Sequence, residues 1–519
     1  MPGESVQIGP FIGGLNTFSD ATAIADNELA LCENFELDLD GSLVSRPPIV
    51  YKNINMPLNS SAGNPTILGY YYGPGNVPYL IGSDGNSSTY YFNGNTWILI
   101  TNTIAATAMA QFDNKAWLLA PFGSTNPGGS WSPTLGFVAE AQMPKGDTIV
   151  AHKFRLWVAG GRDALSNATT LYFSNTLGSP TFWPTFSSTT NFINVGAGDG
   201  QAIVRVSVYY NSLIIFRTNS IYSYQFTSDP GGGTISLLVP NIGLTDKKSL
   251  AARENYIYFM YDEKAYEFVN NRAQQINLKV PFEAGSRTGI DESQARAVSI
   301  FGNRIIFSYF DNLYVYGLRT RTWTIWKSTV HGPIGEIFAA VTDAEYETAI
   351  TFSSAIVPAG GSRVAETLHI TDSLTEDSEA FTCIIVTKNY NYQASSVYKR
   401  LFWWGVDAIF RGEIRGTVTP ITFSQEVTWS ALDATTWAAV LNYDWNQPLT
   451  VNISIETVKP TSGGRAIRKF VKFMKSLRFR QANFRVEFDT TGSTTTAPVR
   501  LFSLMTYIRA HERVSKDVT

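Results

Sequence analysis

Cysteine is scarce in this chain of 519 residues: only Cys32 and Cys383, far apart in sequence. A disulfide scaffold is excluded; reduced thiols are the expectation, with a single bridge left open. Histidine is nearly as rare. His152, His331, His369 and His511 are scattered, and no His-x-x-His, His-Glu-x-x-His or Cys-x-x-Cys spacing occurs, so no metal or cofactor site is expected. The nucleophile elbow Gly-x-Ser-x-Gly and the phosphate loop are also missing. Charged residues make up only 16%. No apolar run approaches the roughly 18 residues of a membrane-spanning helix. The start, MPGESVQIGPF, has no charged lead before an apolar core, which argues against a signal peptide and for folding in a cytoplasm.

What the chain has is aromatic residues and glycine: 13% aromatic, with 25 Tyr, 12 Trp and 41 Gly. Such composition favours sheets, and the length favours two or three domains. Several segments share one form, an apolar strand, a polar turn and an aromatic strand. They include Met109–Pro121, Val204–Phe226 and Ala297–Trp326. The turn positions Asn114, Lys153, Asn211, Asn255 and Asn303 recur at intervals of 39, 58, 44 and 48 residues. Four-stranded propeller blades repeat at about 40 to 50 residues. The expected fold is therefore all-β: a β-propeller of about six blades over 61–330, then a mainly β module over 331–519. The competing fold is a large antiparallel sandwich with coincidental spacing.

One early stretch, Phe35 to Pro48, reads FELDLDGSLVSRPP. Its first six positions after Phe35 resemble the front of a calcium loop. The twelfth position, where a bidentate Glu is needed, is Pro47. Phe35, Leu37 and Leu39 alternate with acids, the period of a half-buried strand, and Asp40-Gly41 is a turn pair. The reading is an acidic-faced structural hairpin built on Phe35, Leu37, Leu39, Asp40 and Gly41. The segment 1–60 is then expected to close or brace the propeller.

Charge is uneven. Residues 1–150 carry 4 basic and 12 acidic residues, a balance of −8; residues 399–519 carry 17 and 10, a balance of +7. The densest basic run, Lys459–Arg485, holds no acid. Arg468, Lys472 and Lys475 share one helical face and Ile467, Val471 and Met474 another, so a short amphipathic helix leading into a strand is expected. Arg465, Arg468, Lys469, Lys472, Lys475 and Arg478 are candidate contacts, either to an acidic neighbour, which is favoured, or to DNA phosphates. Scattered carboxylates such as Asp199, Asp246, Asp262 and Asp291 do not form a recognisable glycosidase pair. No catalytic residue is assigned.

The N-terminal tract carries a resemblance. Gly13-Gly14-Leu15-Asn16, then Asp26-Asn27-Glu28, then Asn34-Phe35-Glu36-Leu37-Asp38-Leu39-Asp40-Gly41, then Arg46-Pro47, is similar to the start of tailed-phage tail nozzle proteins, the tail tubular protein B-like family. The hairpin turn departs in detail, and Pro48 stands where the family has Gly. The match covers about the first fifty residues. It implies a non-enzymatic virion tail protein, assembled in the host cytoplasm. It would form a homo-oligomeric ring, usually a hexamer, around the DNA exit channel. Its implied partners are other tail proteins (adaptor, fibres or needle) and genomic DNA sliding through without sequence-specific contact. A glycan-binding tail-tip protein and a glycan-degrading propeller enzyme are the rival readings.

Overall fold

The computed structural model describes residues 4–47, 49–57, 66–160, 168–179, 181–184, 191–196, 198–253, 256–282, 296–309, 312–327, 337–342, 349–356, 364–371, 381–390, 392, 399–410, 414–422, 449–450, 453–458, 467–479, 481–489 and 499–510. Among them nearly all regular structure is strand; the exception is a 3-10 turn at Pro230–Gly232. The chain divides into two units. One comprises 1–46, 316–330 and 374–519; the other comprises 47–315 and 331–373.

The second unit is a β-propeller. Blade 1 is Thr66–Tyr72, Pro78–Ser83, Thr89–Phe92 and Trp97–Thr101. Blade 2 is Ala108–Phe112, Lys115–Leu119, Gly129–Ser132 and Gly136–Ala139. Blade 3 is Thr148–His152, Arg155–Ala159, Thr170–Phe173 and Phe192–Asn194. Blade 4 is Ile203–Tyr209, Ser212–Arg217, Ser220–Gln225 and Thr234–Pro240. Blade 5 is Leu250–Arg253, Tyr256–Tyr261, Lys264–Val269 and Arg272–Gln275. Each is an antiparallel meander. Blade 6 opens with Arg296–Phe301, Arg304–Tyr309 and Asn312–Gly317. The interfaces between blades carry the core: Trp157, Leu171 and Phe173 of blade 3 pack on Leu213, Ile215 and Tyr224 of blade 4. Phe216 and Ile221 of blade 4 pack in turn on Ile257 and Phe259 of blade 5. A blade buries both faces only between neighbours, which is why the sheets must close into a ring.

The ring closes through a seventh sheet that the sequence periodicity did not reveal. Ile337–Thr342, Ala349–Ile356 and Val364–Thr371 form its first three strands. Its outermost strand is Ile49–Met56, paired antiparallel with Val364–Thr371 from Ile49 opposite Ile370 to Met56 opposite Ala365. The first strand of this sheet lies between those of blades 6 and 1. The propeller thus runs past the expected limit at 330, and its closing strand follows the acidic hairpin rather than being part of it. At one mouth of the ring, Lys247, before blade 5, reaches over blade 4: its Nζ donates to Thr107 O (3.1 Å) and Asp147 Oδ1 (3.4 Å), at the entries to blades 2 and 3.

The first unit is a β-sandwich. One sheet runs in the order Ile467–Phe479, Lys399–Phe410, Arg500–Ala510, Leu43–Ser45, Phe35–Leu37, with Glu4–Ile8 also on Arg500–Ala510. The other aligns Trp323–Trp326, Glu28–Glu33, Thr382–Thr387, Gln481–Asp489 and Ile414–Thr422. Trp404 stacks on Phe473 within the first sheet and meets Phe484 of the second, while Phe35 and Phe410 both meet Phe488. Gly416 gives Trp404 its room: a Cβ there would lie 2.6 Å from the indole. Cys32 and Cys383 are buried free thiols, and burial pushes both well above the usual thiol range.

Candidate functional site: the outer face of the six-stranded sheet

The hairpin expected from FELDLDGSLVSRPP is present and belongs to the sandwich. Phe35–Leu37 pairs with Leu43–Ser45, and Phe35 is fully buried. The turn is longer than expected. Asp38 N and O bond to Ser42 O and Gly41 N, and Gly41 sits at φ 79°. Leu39 therefore leaves the strand and rides at the loop tip, 66% exposed. Asp40 does not face a cation site. Its Oδ1 accepts from the Ser42 hydroxyl (2.5 Å) and amide (2.8 Å), and this holds its carboxyl below the usual range. Asp38 pairs with Arg500, whose Nη1 lies 3.9 Å from Asp40.

Asn34 and Arg46 lock the hairpin's base. Asn34 is left-handed, φ 59°, a conformation Asn tolerates better than most residues. Its Nδ2 donates to Thr382 O (2.8 Å), and its Oδ1 accepts from Arg46 Nε (2.8 Å) and Lys327 N (2.7 Å). Arg46, 1% exposed, donates to Lys327 O and stacks 3.9 Å from the Phe381 ring centroid. Asn16 and Glu28 are bonded to each other (2.8 Å), and Glu28 caps Ala25 N.

The basic run is a strand, not a helix. Ile467–Phe479 pairs along Lys399–Phe410, with one extra residue bulged between Met474 and Leu477. Val471 and Phe473 turn inward; Arg468, Phe470 and Lys472 are exposed. Lys469, Lys475 and Arg478 also lie on this strand, whereas Arg465 lies outside the described residues.

The outer face joins cations to rings. Trp403 and Tyr507 sit opposite each other on paired strands, 6.0 Å apart and 8° from coplanar. Phe470, 40% exposed, meets Trp403 edge-on and lies over Gly405, leaving no space for a side chain there. Lys472 Nζ is 4.7 Å from the Trp403 centroid and Arg468 Cζ 4.0 Å from that of Phe502. Arg468 also makes a two-point contact with Asp407, 3.2 and 2.8 Å. Two of the face's cations, Arg468 and Arg500, are thus matched by carboxylates of the same unit, and Lys472 is held against a ring. The arrangement suits recognition of a flat or anionic surface; its cations lie over ring faces, where cation–π attraction adds to packing. Sequence reading found the cations but missed Trp403, Phe502 and Tyr507. Their signal was present in two aromatic, apolar runs, LFWWGVD for Trp403 and LFSLMTY for Phe502 and Tyr507.

Among the described residues, no group of three or more His, Cys, Asp or Glu side chains could hold a metal ion, and no helix is long and apolar enough to cross a membrane.

No family model matches the chain, and no curated protein does. Solved structures with similarity include the extracellular domain of the putative one component system BT4673 from B. thetaiotaomicron (12% identity, 70% of this chain and 43% of that one, TM-score 0.43). The Neurospora crassa Pan2 WD40 domain (9%, 65% and 98%, TM-score 0.41) and the AfRom2 CNH domain (7%, 63% and 99%, TM-score 0.41) are also similar. The chain spans under half the length of the BT4673 domain. At these scores the likenesses assign no activity, and the propeller rests on the strand pairing above.

Proposed function

We propose that the protein is a non-enzymatic structural component of a tailed-phage virion tail, a nozzle subunit that assembles into a homo-oligomeric ring, a hexamer, around the DNA exit channel. The supporting observation is where the resembling residues sit. Asn16, Glu28, Asn34, Asp38, Gly41 and Arg46 bond to one another or build the buried joint and turn of the sandwich. A motif whose members hold architecture, not a reaction centre, is what a ring-building part needs. DNA would pass through the lumen between copies, since Lys247 crosses the mouth of each propeller's own axis.

The outer sheet face is the surface offered to an adjacent copy or tail neighbour, with Lys472 as an exposed cation held against a ring rather than matched by a carboxylate. Exposed ion pairs contribute only about 0–1 kcal/mol each and act more on encounter and register. Purified protein is expected to form six-fold rings in native mass spectrometry and negative-stain images, and Lys472→Glu is expected to slow their assembly at low salt. A protein that stays monomeric at all concentrations and is not found as a ring in particles sinks the reading.

A second reading, a tail-tip receptor or glycan binder, is favoured by two turn tips. Phe154 (φ 59°, 75% exposed) and Tyr210 (φ 51°, 65% exposed) are aromatic residues held left-handed and in solvent on adjacent blades. Such strain on a bulky residue points to a use. Glycan-array binding by the monomer, lost on Phe154→Ser, would favour that reading.

A further inference from the structure

The six-stranded sheet of the sandwich has two unlike ends. At one, Ile467–Phe479 pairs with Lys399–Phe410 alone. At the other, Glu4–Ile8 lies along Arg500–Ala510, from Glu4 opposite Ile508 to Ile8 opposite Leu504. Among the described residues neither strand is paired on its outer side. Such edges offer a row of N–H and C=O groups to another chain. Both are open to solvent: Glu4, Ser5 and Gln7 are exposed, and so are Arg468, Phe470 and Lys472. The basic edge is regular from Ile467 to Met474, ahead of its bulge, which leaves room for the five residues of Glu4–Ile8.

Charge and strand direction select the occupant. Ile467–Phe479 holds Arg468, Lys469, Lys472, Lys475 and Arg478 and no acid, so two such edges repel each other. Glu4–Ile8 holds Glu4 and no base. The path from Glu4–Ile8 through Arg500–Ala510 and Lys399–Phe410 to Ile467–Phe479 is antiparallel at every step. The two end strands therefore run in opposite directions. Copies turned about an axis parallel to the strands keep their strand directions, so the basic end of one meets the Glu4 end of the next in antiparallel fashion. A head-to-tail contact of this kind closes into a ring.

We propose that Glu4–Ile8 of one copy adds to the free edge of Ile467–Phe479 in the next, so that the sheet runs on from subunit to subunit through main-chain hydrogen bonds. The inference rests on the ring reading and specifies its contact. Ser5 and Gln7 lie opposite Tyr507 and Met505 and share the outer face with them. The join continues that face onto the Phe470 and Lys472 side of the neighbouring copy.

The test is disulfide trapping in the full chain. Gln7→Cys is combined in turn with Arg468→Cys, Phe470→Cys and Lys472→Cys, and each double variant is oxidised mildly and run on a non-reducing gel. Within one copy these positions are three strand spacings apart, about 14 Å, too far for a disulfide, and Cys32 and Cys383 are buried. Any new bond therefore joins two copies. A ladder of linked subunits is expected from at least one pair and from none of the single variants. Native mass spectrometry is run beside it. Ser5→Lys sets a cation against the basic edge and should weaken assembly about tenfold at low salt, and adding Lys472→Glu should restore it. Rings that form without a ladder from any pair, or that tolerate Ser5→Lys unchanged, overturn this contact and leave the ring reading standing. A chain that is monomeric at all concentrations and absent as a ring from particles overturns both.

Discussion

Asn34 shows how one side chain joins strain and bonding. It spends a left-handed backbone and returns three hydrogen bonds, one of them to a buried guanidinium. Asn34→Ala should cost about 2–4 kcal/mol, because the strain persists while buried donors lose their acceptor. Asn34→Gly relieves the strain alone and should cost about 1 kcal/mol less; denaturant melts of the two variants separate the terms. His152 is a second informative residue. Burial first, then the neighbouring Lys153 charge, push its pKa down from 6.5 to about 4. The folded state therefore resists a proton that the unfolded chain accepts. Stability from this residue is full above pH 6.5 and is lost progressively as pH falls from 6.5 towards 4. Melting temperature should fall over that window, and His152→Gln should flatten the fall. Chelators should leave the melting temperature unchanged, since Asp38 and Asp40 already have Arg500 and Ser42; a clear drop would revive the calcium loop.

At the scale of single elements, Gly416 and the basic strand carry the sharpest consequences. A side chain at 416 must displace Trp404 and Phe473, whose rings stack at 4.5 Å in the sandwich core. Gly416→Ala should cost about 1–3 kcal/mol by overpacking, read as a lowered melting temperature with unchanged far-ultraviolet dichroism. The basic strand also shows why its type was misread. Ile467, Val471 and Met474 fit a helical period, but the same stretch alternates Arg468, Phe470 and Lys472 outward against Val471 and Phe473 inward. Short cationic-apolar runs satisfy both periods, and only pairing with Lys399–Phe410 decides. Blades 1 to 6 were legible because each repeats an aromatic strand and a polar turn locally. The seventh sheet was not, because Ile337–Thr342 and Ala349–Ile356 carry no such aromatic signature and the fourth strand comes from the far end of the chain. Phe35 was legible as a core residue; Leu39 was not, because the loop from Asp38 to Ser42 breaks the alternation.

At the scale of the whole molecule, neither unit is a continuous stretch. The sandwich takes three segments and the propeller two. Fragments test that division directly. A chain of residues 47–373 contains every propeller segment and should melt cooperatively and resist protease. A chain of 61–330, the boundaries that periodicity alone indicates, lacks the closing sheet and should be digested readily. Equal resistance of the two would show that the ring does not depend on its seventh sheet. The pairing of Ile49–Met56 with Val364–Thr371 also sets a clock for synthesis. The closing strand leaves the ribosome more than three hundred residues before its partner, roughly 15–60 s earlier at ordinary elongation rates. Throughout that interval the nascent chain carries an unmatched strand edge, so it is during translation, rather than after release, that this protein is most exposed to capture by chaperones or by another nascent copy on the same message.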